Sequence, residues 1–156
     1  MTRRAFVPFV VPFILTLVLA AGLAGSAAAE PLAGSQQGGR PLATTLTGEA
    51  EVPVPGDPDG TGTARLILNP GQEQICYELV VSGIAPATAA HIHEAPAGSA
   101  GDVVVGLAAP TDGSSSGCVH LDRAEILDIL RSPEDYYVNV HNAEFPGGAL
   151  RGQLGR

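Results

Sequence analysis

Gly, Pro, Asn and Asp cut the chain from Leu42 onward into short runs, and 20 glycines and 13 prolines in 156 residues leave little room for a long helix. What lies between the breaks is β-prone and alternating. Residues 61–68 put Ala64, Leu66 and Leu68 on one face, and Asn69-Pro70-Gly71 supplies a turn. Residues 74–82 then alternate Ile75, Tyr77, Leu79 and Val81 with Cys76, Glu78 and Val80, so the two runs predict a hairpin. Further strands are expected within 42–52, over 88–94, over 103–107 as a buried strand, over 117–121, over 136–142 and over 149–154. Residues 111–117 read as a polar loop. Asp122 reads as a helix N-cap with Glu125 three residues on, Ile126, Leu127 and Leu130 as the apolar stripe, and Pro133 as the stop. Roughly eight short strands and one short helix predict an all-β fold, an antiparallel β-sandwich or flattened Greek-key barrel.

The first 29 residues are set apart from this pattern. Arg3 and Arg4 precede a long apolar stretch from Ala5 to Leu23, and small residues end in Ala27-Ala28-Ala29. This is the layout of a cleaved signal peptide, with Glu30 as the first mature residue; a retained anchor is the competing reading, which Pro8 and Pro12 disfavour. Residues 30–41, rich in Gly, Gln, Ser and Ala, read as a flexible linker, and residues 42–156 as one domain. The expected location is secreted or at the cell surface, with no membrane insertion once the leader is cut.

Charge narrows the partners. Removing Arg3 and Arg4 leaves six arginines, no lysine and sixteen acidic residues, a net charge of −10. That sign excludes nucleic acid as an expected partner and favours cations. Cys76 and Cys118 are an even pair in a chain bound for an oxidising compartment, and one disulfide is the expected outcome; two free thiols are the alternative.

The chemistry-bearing residues centre on Ala89-Ala90-His91-Ile92-His93-Glu94. On a strand, His91 and His93 point to one face and Ile92 to the other. His141 closes a second strand-like run, Tyr136-Tyr137-Val138-Asn139-Val140-His141. Three imidazoles from two strands make a candidate metal site with an open fourth position, and copper(II) heads the affinity order for nitrogen donors. The other reading is three hydrogen-bonded histidines on a solvated sheet face. His120 reads as a solvated histidine, Glu94 as pointing away from the pair, and Glu49, Glu51, Asp57 and Asp59 as a solvated acidic loop lacking calcium-site spacing. No nucleophile elbow or phosphate loop supports a hydrolase or transferase.

Several stretches together resemble the CHRD domain, the module named from chordin: Leu46-Thr47-Gly48-Glu49-Ala50-Glu51-Val52-Pro53, Gly62-Thr63-Ala64, Ala89-Ala90-His91-Ile92-His93, Tyr137-Val138-Asn139-Val140-His141-Asn142 and Phe145-Pro146-Gly147-Gly148-Ala149-Leu150-Arg151-Gly152-Gln153-Leu154. The resemblance runs from about Leu42 to Leu154. It implies an extracellular binding module with an unknown protein partner. A more distant likeness is to Cu/Zn superoxide dismutases, which are also antiparallel β-sandwiches. There His91, His93 and His141 would match three of the four copper histidines. Residues 95–117 hold no histidine, so the dismutase zinc site is missing, and Arg151 is a candidate for the anion-guiding arginine. The functions left standing are a binding module with a three-histidine copper site, a copper redox enzyme resembling superoxide dismutase, and a structural or adhesive surface domain without metal.

Overall fold

The computed structural model describes residues 38–155; the stretch read as a signal peptide, most of that read as a linker, and Arg156 lie outside the described residues. Eight strands form one antiparallel sheet: β1 (Arg40–Thr47), β2 (Thr61–Asn69), β3 (Gln74–Ser82), β4 (Ala87–Glu94), β5 (Asp102–Leu107), β6 (Ser114–His120), β7 (Tyr136–Asn142) and β8 (Leu150–Gln153). Their spatial order is β5-β4-β7-β8-β1-β2-β3-β6. The two outer strands nearly meet. Ser115 Oγ donates to Ala108 O at 2.7 Å, and Ala108 N donates to the Tyr77 hydroxyl at 2.8 Å, so the sheet curls into a flattened, almost closed barrel.

Strand alternation builds the interior. Leu66, Leu68, Ile75, Leu79, Ile92, Val138, Val140 and Leu150 are all fully buried, and each comes from the inward set of its strand. The predicted β2–β3 hairpin forms, and its register sets Ala64 opposite Leu79 and Leu66 opposite Tyr77. Helix α1 (Arg123–Arg131) closes one end. It seals the barrel with Ile126 and Ile129, both at 0 % exposure, while Leu127 and Leu130 are only half-buried. The apolar stripe is therefore rotated from the expected one, because the helix rests on the barrel mouth through its i, i+3 pair. Asp122 occupies the N-cap position, but its side chain makes no capping bond, so the capping-box reading fails. Its backbone carbonyl accepts from Ile126 N at 3.0 Å.

Three further expectations shift. β1 starts at Arg40, within the stretch read as linker, because Arg40 and Pro41 already pair with Leu68 and Ile67. β5 is an edge strand rather than a buried one, with Val103 at 54 % exposure. β6 begins at Ser114, three residues before the expected start, since its serines find β3 as a partner. The disulfide is present: Cys76 of β3 lies directly opposite Cys118 of β6 and bonds to it, tying down the outermost strand. Among the described residues no helix is long and apolar enough to cross a membrane.

Candidate metal centre

The outward face of β4, β7 and β8 holds what the core does not. In register, His91 stands opposite Asn139, His93 opposite Tyr137, and Ala89 opposite His141. Tyr137 and Asn139 in turn face Gln153 and Arg151 of β8. Cross-strand neighbours share a face, and diagonal neighbours remain within reach of long side chains. Ala89 takes little room, so the His141 ring can lean toward His91; their centroids are 5.1 Å apart, and His91 and His93 are 5.5 Å apart.

The three histidines each offer one nitrogen, and those nitrogens lie within 4.8 Å of one another. Among the described residues this is the one group of three or more His, Cys, Asp or Glu placed to share an ion. Two of the rings have their tautomer fixed by backbone. The His93 Nδ1–H donates to Gly101 O at 3.0 Å, and the His141 Nδ1–H donates to Pro146 O at 3.0 Å. A carbonyl can only accept, so in the neutral form of each ring the proton sits on Nδ1 and Nε2 carries the lone pair. His141 Nε2 lies 3.3 Å from His91 Nδ1. His93 Nε2 is buried and has no partner among the described residues. Burial, together with the neighbouring imidazoles, holds the His91 pKa below the ordinary histidine value. Burial also depresses that of His141, against the pull of its bond to Pro146. Neutral imidazoles are the form that binds metal.

The carbonyls that fix these rings are themselves anchored. Arg151 is 2 % exposed. Its guanidinium donates to Ser99 O at 2.8 Å, to Pro96 O at 3.1 Å and to Gln153 Oε1 at 3.1 Å. Gln153 donates to Ala95 O at 2.9 Å. Together they pin the 95–101 loop that carries Gly101, and Gly101 has no room for a side chain, because a Cβ would collide with Glu94 O. On the other side, Asn142 Oδ1 accepts from Glu144 N at 3.0 Å and Phe145 N at 2.7 Å, setting the turn that presents Pro146. Tyr137 links the layers: His93 stacks on it at 4.8 Å, and its hydroxyl accepts from Gly101 N at 3.3 Å.

The acidic stretch of the β1–β2 connection is not simply solvated. Glu51 and Asp57 are 6 % and 7 % exposed, and Glu51 accepts from Asn139 Nδ2. Burial pushes the Glu51 carboxyl up to about 7, against the pull of Arg151, the Val52 backbone and Asn139. Asp57 Oδ1 accepts from Asp59 N at 3.1 Å, a turn-forming role. Sequence spacing could not reveal these contacts, since Glu51 meets Asn139 across 88 residues of chain. Arg151, the candidate anion guide, is a buried clamp on a loop. Glu94 points away from the histidines to solvent, and His120 is exposed, 3.8 Å from Asp122, both as expected.

The CHRD domain family model matches residues 42–154. The chain belongs to the CHRD domain family. No curated protein and no solved structure matches it. The CHRD assignment places the matched stretch over all eight strands but for the first two residues of β1.

Proposed function

We propose that this chain is an exported CHRD binding module whose His91, His93 and His141 hold one divalent transition-metal ion, copper(II) before zinc. The observation that carries the reading is the buried, unpartnered Nε2 of His93, in a group of three histidines whose nitrogens lie within 4.8 Å of one another. A buried acceptor without a donor is costly, and a cation removes that cost. The bonds from His93 and His141 to backbone carbonyls support it further, since metal-binding imidazoles ordinarily spend their second nitrogen in this way. When bound, the metal supplies a Lewis acid with an open position; the protein supplies orientation and a partly desolvated wall.

Three neutral nitrogen donors suit copper(II) and zinc far better than magnesium or calcium. The net negative charge of the chain favours delivery of any cation. Binding rather than superoxide turnover is the function proposed, because Arg151 is enclosed and its donors hold the 95–101 loop. The signal-peptide-like sequence pattern of residues 1–29 supports an extracytoplasmic setting, as does the disulfide.

Calorimetric titration of the mature protein with copper, zinc and magnesium at neutral pH tests this reading. One equivalent of copper binding more tightly than zinc, with no magnesium uptake, is the expected result. Equal weak heats from all three cations would overturn it.

A further inference from the structure

Asn139 is the second orphan of this face. It is 3 % exposed, and its Oδ1 is buried without a hydrogen-bond partner among the described residues. Its Nδ2 is committed to Glu51, so the amide is oriented and the free group is an acceptor. In register it stands opposite His91, two residues before His141 on the same outward face. Two buried acceptors, His93 Nε2 and Asn139 Oδ1, therefore share a face with no donor among the described residues to meet them. A bare cation satisfies the imidazole and leaves the amide oxygen wanting a proton. A metal-bound water or hydroxide carries one.

We infer that Asn139, aimed by Glu51, is a positioning residue that accepts a hydrogen bond from a water or other small protic ligand on the open coordination position. This rests on the three-histidine reading above. The support behind the amide is built closely. Glu51 is carried by a turn in which its own N donates to Gly48 O at 3.1 Å and Gly56 N donates to the same carbonyl at 2.8 Å. Gly148, at φ +145, leaves its side-chain space to the Glu51 carboxylate, which a Cβ would approach to 2.5 Å. The flank is open. The β5 residue opposite His91 is Gly106, where a Cβ would meet nothing within 4 Å, so a small ligand can approach the site over that strand.

The inference separates protic from aprotic ligands. An acceptor beside the open position favours water and opposes an anion such as azide, which has no proton to give. The test uses copper-loaded protein, wild type and Asn139→Leu, with Glu51→Ala as a second variant that keeps Asn139 but removes its anchor. Azide affinity is read by optical titration and bound-water protons by electron–nuclear double resonance. Both variants should retain one copper per chain. Azide should bind about tenfold more tightly to Asn139→Leu, the size expected for losing one hydrogen bond at a charged site. The bound-water couplings should also change, with a smaller effect in the same direction for Glu51→Ala, which also decides the matter if Asn139→Leu does not fold. Unchanged azide affinity and couplings in a copper-loaded variant overturn the role of Asn139 alone. Failure of the wild type to take up copper overturns the site beneath it, and this inference with it.

Discussion

The guanidinium carbon of Arg151 lies 3.5 Å from the centre of the Tyr137 ring. Tyr137 stacks in turn on His93, with planes only 8° apart, so a cation on β8 reaches a metal-ligand candidate on β4 through one aromatic ring on β7. The same guanidinium holds two carbonyls of the loop that fixes His93. One buried residue thus sets both the wall and the backbone contact of the imidazole.

Replacing Arg151 by Lys keeps the charge and loses the planar fork. The 95–101 loop should loosen, the Gly101 contact to His93 should weaken, and copper affinity should fall by about tenfold, as for other residues that orient metal ligands. Competition against a chelator of known affinity measures this. Unaltered affinity would mean that the loop holds its place without Arg151.

The Cys76–Cys118 bond joins β3 to β6, and β3 and β4 have no place beside each other in the sheet. Replacing both cysteines by Ser should lower stability by about 2–5 kcal/mol in urea unfolding, because the reduced chain regains loop freedom. Copper stoichiometry should stay at one per folded molecule, since the histidines lie on β4 and β7.

Much of the fold could be read from strand periodicity, because burial on one face dictates a period of two. Ala64, Leu66 and Leu68, or Ile75, Tyr77 and Leu79, announce their inward face without help from other strands. The disulfide was legible from the even cysteine count and the expected compartment, and the histidine trio from its H-x-H spacing plus one distant strand. The helix face was not, since α1 carries four branched aliphatics in five residues, Ile126, Leu127, Ile129 and Leu130, and only the barrel mouth decides which are covered. Nor was the edge position of β5: a run of valines reads as interior unless its missing neighbour is known. The buried Glu51–Asn139 and Arg151–Ser99 contacts join residues far apart in sequence and leave no local signal.

The helix orientation gives a sharp comparison. Ile129→Ala should cost about 2–4 kcal/mol of stability, as a fully buried aliphatic truncation does, and Leu127→Ala clearly less. Thermal or urea unfolding of the two variants side by side decides it. Equal losses would contradict the face assigned here.

Glu51 and the histidines impose opposite pH dependences on the metal-free protein. The Glu51 carboxyl titrates near 7 when folded against 4.5 ordinarily, so its contribution is full below pH 4.5 and lost as pH rises through about 7. His91 and His141, held below the ordinary value of 6.5, contribute fully above it and lose that contribution as pH falls through their lowered folded values. Glu51→Gln removes the first dependence only. The stability difference between wild type and Glu51→Gln should therefore move against the wild type as pH rises from 4.5 to 7. A difference that stays flat over that window would place the carboxylate in a solvated, ordinary environment.

The central claim is that His91, His93 and His141 share one ion, and electron paramagnetic resonance of the copper-titrated mature protein tests it most directly. The account predicts one type-2 copper signal per chain, with hyperfine structure from nitrogen ligands, and its loss in the His91→Ala, His93→Ala double variant. Copper uptake of the same stoichiometry and spectrum in the double variant, or no specific signal in the wild type, would contradict it and leave the three histidines as parts of the scaffold.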